Sequence, residues 1–208
     1  MIVLDTETGG LNADVQSILS VGCVVLNDNL SIIDEFENYI KEDNIVAEPR
    51  ALAINKIDLE WLKVNGKPPA EVLTNLEEFL SKYYSKKEKI TMVGHNVGFD
   101  VGFMKRLYKQ GGAEGGYESR FSHRTMDTAG IIRFLMLAKR LDIPAANSTD
   151  AFKHFGIEIS ETERHTALAD ARATAKLLKH LVNMVKAPSN AYHEVDAYYK
   201  DETTTPQS

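Results

Sequence analysis

An acidic pair near the start of the chain, Asp5 and Glu7, is the first candidate for chemistry. Alternate side chains of a β-strand point to the same face, so this spacing places both carboxylates together, about 6 to 7 Å apart along the backbone. Two such carboxylates can bind one hard divalent cation. Gly9 and Gly10, which follow, allow a tight backbone turn beside them. By itself an Asp-x-Glu pair is more typical of a polar strand edge, so the assignment depends on partners elsewhere in the chain.

Three further polar residues lie at predicted helix starts, namely Asp100, His165 and Asp170. Asp100 follows a strand-like segment. Taken alone, it is most simply an acidic residue in the first turn of a helix, where the helix dipole favours a negative charge. His165 falls at or just before a helix start, and Asp170 lies about one and a half turns into that helix among alanines. An unpaired carboxylate packed among alanines is costly, and a bound metal ion would provide the compensation.

Four carboxylates and one imidazole together have the composition of a two-metal phosphodiester hydrolase, in which one ion activates water and the other stabilises the leaving oxygen. His165 suits the general base, since the ordinary pKa of an imidazole lies near neutral pH. The sequence has no Cys-His grouping for structural zinc and no glycine-rich loop with a lysine for an ATPase. Carboxylates without thiolates favour two Mg²⁺ or Mn²⁺ ions.

The elements that must position these residues follow from hydrophobic periodicity and turn composition. The predicted strands are residues 1–7, 17–27, 30–40, 90–94 and 125–126, of which the first three form an antiparallel meander. The predicted helices are residues 68–83, 99–108, 129–141, 148–156 with Ser148 as its cap, and 166–186. Small residues such as Ala171 and Ala175 would let the last helix lie close to a sheet.

Residues 111–124 hold four glycines together with aromatic and basic side chains. This composition predicts a mobile loop. Two roles are open for it: a solvated connector, or a flexible lip that touches a substrate strand.

The global composition is that of an ordinary globular protein with one domain. Its net charge of −6 argues against broad phosphate binding by Lys and Arg, but two divalent ions would bring the charge to about −2 and concentrate positive charge at the site. The apolar runs are too short to span a bilayer, and the first residues do not predict a targeting signal. Cys23, the only cysteine, indicates a reducing compartment, so we expect a cytoplasmic protein.

Three segments carry a resemblance to a known family: Asp5-Thr6-Glu7-Thr8-Gly9-Gly10-Leu11, Gly94-His95-Asn96-Val97-Gly98-Phe99-Asp100, and His165 with four residues before Asp170. In this order and spacing they resemble the three motifs of the DEDDh subgroup of DnaQ-like 3′-to-5′ exonucleases, in the RNase H-like superfamily. The resemblance covers residues 1–186 and implies an α/β fold, a five-stranded mixed sheet with helices on both faces. Residues 187–208 are then a polar C-terminal tail.

The resemblance also implies residue roles. It implies four metal ligands and a histidine that deprotonates the attacking water: Asp5, Glu7, Asp100 and Asp170, with His165 as the base. It further implies contacts between the terminal nucleotide and Thr6, Thr8 and Leu11, with Leu11 as an apolar wedge beneath the last base. Asn96 and Phe99 are weaker candidates for the same pocket. One departure is that many proofreading members carry a His-Gly pair where this chain has Asn55-Lys56, which weakens assignment to a subfamily.

The predicted substrate is the 3′ end of a single nucleic-acid strand, with DNA favoured. An exoribonuclease that trims RNA is the alternative, because only contacts to the 2′-OH separate the two substrates. A catalytically silent nucleic-acid-binding domain is the other alternative, but all five catalytic positions hold the required residue types. A DNA polymerase is a further candidate partner, although no short clamp-binding segment of Gln plus hydrophobic residues follows Lys186. The oligomeric state is not predicted.

Overall fold

The computed structural model describes residues 1–160 and 165–186. Its strands are β1 Ile2–Thr8, β2 Ile18–Leu26, β3 Ile32–Tyr39, β4 Met92–Gly94 and β5 Met126–Asp127. Its helices are α1 Pro49–Asn55, α2 Leu59–Asn65, α3 Pro69–Ser81, α4 Gly98–Gln110, α5 Gly116–Arg120, α6 Thr128–Leu137, α7 Ser148–His154 and α8 Ala167–Val185. The predicted tail, residues 187–208, lies outside the described residues.

The five strands form one mixed sheet in the order β3-β2-β1-β4-β5. The β1–β2 and β2–β3 pairs are antiparallel, and the β1–β4 and β4–β5 pairs are parallel. The predicted meander and mixed sheet are therefore confirmed. None of the described helices is long and apolar enough to cross a lipid bilayer.

Helices cover both faces of the sheet, as predicted. Alternate residues of β1 divide between two apolar clusters, with Ile2 and Leu4 packing towards α3 and α4, and Val3 towards α8. On the outer side of α8, Leu177 and Leu181 pack in a third cluster with residues of α6 and α7. Asp5 and Glu7 continue the alternation of Val3 and so lie on the α8 face.

Three of the described helices were not predicted: α1, α2 and α5. α1 and α2 have seven residues each, which is too short to show an apolar period. Each instead carries a local start signal, Pro49 in the first turn of α1 and Asp58 as the N-cap of α2. α7 was predicted, but its cap is Asn147, whose side chain accepts from the Asp150 amide at 2.8 Å, and not Ser148.

Residues 111–124, which were predicted to be a loop, are irregular only in part. This segment contains α5, and it buries Tyr117, Arg120 and Phe121 against the core. The rings of Tyr117 and Phe121 stack at 5.0 Å, and both contact the Tyr108 ring of α4 edge-on. The glycines indicated flexibility, but aromatic burial decides the conformation of the segment.

Candidate active site

The β1 carboxylates lie at the end of the strand, facing α8. Asp5 pairs in register with Gly22 of β2, and Glu7 pairs with Ser20. The register shifts between Glu7 and Thr8, where the strand ends. The chain can then turn through Gly9 and Gly10, so the two carboxylates lie at the C-terminal end of the central strand, on the face that α8 covers.

The first turn of α8 brings Asp170 to these carboxylates. Thr166 caps the helix, its hydroxyl accepting from the Ala169 amide at 3.3 Å. Ala167 and Ala171 are fully buried, so the small residues do allow the helix to lie close to the sheet. Carboxylate oxygens of Asp5, Glu7 and Asp170 all lie within 4.8 Å of one another. That spacing allows the three groups to ligate one cation.

Asp100 lies beside this three-carboxylate cluster. It is in the first turn of α4, is only 3% exposed, and accepts a 2.7 Å hydrogen bond from the Thr6 hydroxyl. The structure therefore places three of the four predicted ligands in one group and holds the fourth next to it through Thr6.

Burial and mutual repulsion raise the pKa values of these acids. Desolvation is the larger cause, followed by neighbouring charges, and together they raise the pKa of Asp5 well above its usual range and that of Glu7 to about 9. Desolvation also raises the pKa of Asp100 to about 7, although the hydrogen bonds from Thr6 oppose it. Bound divalent cations would remove this repulsion, and hard oxygen donors are the ligands that Mg²⁺ and Mn²⁺ prefer.

His165 lies at the edge of the acidic cluster. Its Nδ1 is 3.9 Å from Oδ2 of Asp170, and its backbone is in the left-handed region with φ of 65°. It immediately precedes the N-cap of α8, as predicted, and its side chain is partly exposed. The imidazole is therefore accessible to water while it remains close to the carboxylates.

Two pockets, each of about 320 Å³, flank Glu7. The Leu11 pocket is lined by Thr6, Glu7, Thr8, Leu11, Arg50, Ile54, Asn55 and Phe99, among others. The His165 pocket is lined by Glu7, Ser20, Tyr39, Asn55, Lys56, Trp61 and His165, among others. Glu7 and Asn55 line both, so a phosphodiester at the carboxylates would have an open pocket on either side.

The predicted substrate residues differ in their placement. Leu11 is 86% exposed at the rim of the Leu11 pocket, and Phe99 lines the same pocket against the Phe103 ring at 4.9 Å. Thr6 and Thr8 line it too, but their hydroxyls are donated internally, to Asp100 and to the Gly10 carbonyl. Asn96 lines neither pocket. Its backbone amide donates a hydrogen bond to the Asp127 carboxylate at 2.8 Å.

Sequence reasoning missed the contribution of α1. This helix borders the Leu11 pocket, to which it supplies Arg50, Ile54 and Asn55. Asn55 is buried and donates to the Thr8 carbonyl at 3.1 Å, which fixes the helix end against the end of β1. The sequence signal for this helix is the pair Asn55-Lys56, which departs from the His-Gly pair of many proofreading members.

Comparison with known proteins identifies the family. The sequence profile of the RNase T exonuclease family matches residues 2–178. The chain belongs to this exonuclease family. The predicted DnaQ-like family and enzyme class, a 3′-to-5′ exonuclease, are thereby confirmed, and divalent-metal dependence is a property of that family.

Individual relatives agree with this assignment. The exonuclease is 28% identical to ribonuclease T of Shewanella denitrificans over 201 residues, which cover 89% of this chain and 81% of the relative. It is 28% identical over 189 residues to the PolC-type DNA polymerase III of Clostridium perfringens, covering 89% of this chain but only 11% of the polymerase.

A solved structure shows the same fold. Escherichia coli exonuclease I in complex with a dT13 oligonucleotide superposes with a TM-score of 0.73 at 18% identity, covering 86% of this chain. The exonuclease spans 40% of that longer chain. The likeness confirms the predicted RNase H-like fold.

Proposed function

We propose that the protein hydrolyses single-stranded nucleic acid from its 3′ end and releases nucleoside 5′-monophosphates. The observation that carries the proposal is the grouping of Asp5, Glu7 and Asp170 within 4.8 Å, next to the apolar Leu11 pocket. A pocket of about 320 Å³ has room for one nucleoside beside these carboxylates.

In this proposal Asp5, Glu7, Asp100 and Asp170 hold two Mg²⁺ or Mn²⁺ ions. When bound, such ions supply the positive charge that activates water and stabilises the leaving oxygen. Thr6 orients the Asp100 carboxylate through its 2.7 Å hydrogen bond. His165 accepts the proton of the attacking water from its place at the edge of the cluster.

The Leu11 pocket would bind the terminal nucleoside. Leu11 lies beneath the last base, and Phe99 and Ile54 supply the apolar walls. Thr6 and Thr8 would contribute backbone groups and apolar surface, since their hydroxyls are engaged internally. Asn96 has the weakest support, because it lies outside this pocket.

DNA is the favoured substrate, and the similarity of the fold to that of exonuclease I, solved with a DNA oligonucleotide, supports this choice. RNA is the second candidate, and it is favoured by the similarity to ribonuclease T over four fifths of that relative. Release of labelled nucleotides from matched DNA and RNA single strands distinguishes the two. Contacts to the 2′-OH are the physical basis of any preference.

The decisive experiment measures metal-dependent nucleotide release. EDTA should abolish it and added Mg²⁺ or Mn²⁺ should restore it. Asp100→Ala and Asp170→Ala should each lose nearly all turnover while remaining folded. Full activity in excess EDTA, or cleavage of a circular strand, would contradict the proposal.

His165 is tested by His165→Asn, because asparagine tolerates the left-handed backbone but cannot act as the base. Turnover should fall about 10²- to 10⁴-fold and remain metal-dependent. His154→Asn on α7 is the matched control and should keep wild-type turnover. If His165→Asn also keeps it, His165 is a structural residue at the start of α8.

Residues 1–186 are proposed as the exonuclease domain, and the family match over residues 2–178 supports this assignment. Similarity to PolC-type polymerases motivates a test for association with a DNA polymerase, and co-purification with a polymerase subunit would support it. A cytoplasmic location is also proposed, because Cys23 is a free and buried thiol.

A further inference from the structure

Lys56 has an unfavourable backbone conformation beside the active site. It follows α1 in the left-handed region, with φ of 57°. Any L side chain in this region is less stable than glycine would be. An outlier of this kind at the edge of a functional site suggests that the side chain itself is needed there.

The side chain of Lys56 is placed to meet an anion. It lines the His165 pocket together with Glu7 and His165, and no other Lys or Arg is among the described residues that line this pocket. Lys56 is exposed and has no hydrogen bond or ion pair from its side chain to another described residue. Its ammonium is therefore available for a ligand.

A second polar group in the same pocket lacks a partner. Ser20 is 1% exposed, yet its hydroxyl makes no hydrogen bond within the described part of the chain. Its register partners on the neighbouring strands are Glu7 and Tyr39, and all three residues line the His165 pocket. The Ser20 hydroxyl therefore lies at the floor of this pocket. Buried hydroxyls are usually paired, so a polar ligand or water is expected at this point.

The position of the His165 pocket indicates which ligand it binds. If the terminal nucleoside occupies the Leu11 pocket, its 5′-phosphate lies at Glu7, on the boundary between the two pockets. The His165 pocket then faces the phosphate from the side opposite the nucleoside. A lysine ammonium is a compact donor that suits phosphate oxygens.

We propose that Lys56 is a phosphate-binding residue, which holds the scissile phosphate and the released nucleoside 5′-monophosphate from the His165 pocket. This inference rests on the proposed function. It assigns to α1 and its C-cap a role on both sides of Glu7, because Ile54 of the helix contacts the nucleoside and Lys56 at the C-cap contacts the phosphate.

The test compares Lys56→Gly, Lys56→Arg and wild type, with Lys139→Gly as a matched control. Lys139 is also an exposed lysine in the left-handed region just after a helix, with φ of 55°, but it lines neither pocket. Titration calorimetry with a nucleoside 5′-monophosphate in Mg²⁺ gives the Kd, and the melting temperature is measured in parallel.

Lys56→Gly should bind the nucleotide about 10-fold more weakly, while its melting temperature stays equal or rises. The dependence of this Kd on salt concentration should weaken, because one charged contact with the phosphate is lost. Lys56→Arg should retain most of the affinity. Lys139→Gly should show only the change in melting temperature.

Two results would overturn the inference: an unchanged Kd and salt slope in Lys56→Gly, or a loss of affinity accompanied by a lower melting temperature. Because binding is measured separately from turnover, a wild-type protein that releases no nucleotide refutes the proposed function. Equal binding by wild type and Lys56→Gly refutes only the role of Lys56.

Discussion

Gly22 of β2 lies directly beneath Leu168 of α8: a Cβ at position 22 would be 2.6 Å from the Leu168 Cα and closer still to its backbone nitrogen. Gly22 is also the register partner of both Asp5 and Glu37. Glu37 accepts from the Leu168 amide at 3.2 Å, and Glu35 forms an ion pair with Arg172 one turn further on. These contacts fix the α8 start, and hence Asp170, over the sheet.

We therefore predict that Gly22→Ala displaces the start of α8. The clash is with backbone, so the free energy of unfolding should fall by about 1–3 kcal/mol. Displacement of Asp170 by about 1 Å should lower turnover on the order of 10²-fold. Urea denaturation and nucleotide release measure the two effects.

Gly130→Ala is the control for this prediction. A Cβ there meets no atom closer than 3.9 Å, and the position is exposed within α6. Alanine should stabilise the helix by about 0.5–1 kcal/mol and leave turnover unchanged. Wild-type turnover in Gly22→Ala would show that α8 is not positioned by this contact.

The acidic cluster predicts a pH dependence of stability in metal-free protein. The folded pKa of Glu7 is raised to about 9 by desolvation and by the charges of Asp170 and Asp100. A group with a raised folded pKa contributes stability below its unfolded pKa, and this contribution is lost as pH rises through the folded pKa. Loss of about 2 kcal/mol would lower the melting temperature by roughly 4–8 °C.

Melting in EDTA between pH 5 and pH 9 measures this loss. Glu7→Gln should flatten the profile and melt higher than wild type at pH 9. Saturating Mg²⁺ should remove most of the difference for wild type. A wild-type profile in EDTA that is as flat as that of Glu7→Gln would contradict the predicted repulsion.

The ion pair between Arg106 and Glu42 should contribute strongly to stability. Glu42 is buried, and it accepts from Arg106 at 2.7 and 2.9 Å and from Ser17 at 2.7 Å. Arg106 also donates to the Ala13 carbonyl at 3.0 Å, which ties α4 to the loop that follows Leu11. Arg106→Leu leaves a buried carboxylate unpaired and should cost about 3–5 kcal/mol at pH 7.

The loss of unfolding free energy caused by Arg106→Leu should be smaller at acidic pH. Desolvation opposes ionisation of Glu42, but its hydrogen bonds outweigh this and lower its folded pKa. The contribution of ionised Glu42 to stability is thus present above its unfolded pKa, and it is lost as pH falls through its folded pKa. Lys63→Leu, at the exposed Lys63–Glu60 pair, is the control and should change stability by less than about 1 kcal/mol. Equal costs for the two variants would refute this prediction.

Leu11→Ala should reduce activity without affecting stability. Leu11 is 86% exposed, so it contributes little to folding, but a terminal base stacked on it would bury its side chain. We expect kcat/KM on single strands to fall about 10-fold, because apolar contact with the terminal base is lost. The preference for unpaired over blunt ends should also decrease. Leu137→Ala, at a site 83% exposed on α6, should change neither activity nor end preference.

The sequence by itself determined the sheet, the long helices and the identity of the acidic residues. Alternation along residues 1–7 placed Asp5 and Glu7 on one face, and the alanine-rich period of the last helix predicted its approach to the sheet. These patterns are local, and strand and helix geometry convert them directly into faces. The three motifs then supplied the family.

Only the tertiary structure decided the surroundings of those residues. The closeness of Asp170 to Asp5 depends on Gly22 lying under Leu168, a contact between residues far apart in sequence. The placement of Lys56 beside His165 depends on α1, which is too short to have a recognisable period. Residues 111–124 gave a glycine signal for a loop, but burial of Tyr117 and Phe121 against Tyr108 outweighed it. Non-local packing decided each of these features, and no local pattern encodes it.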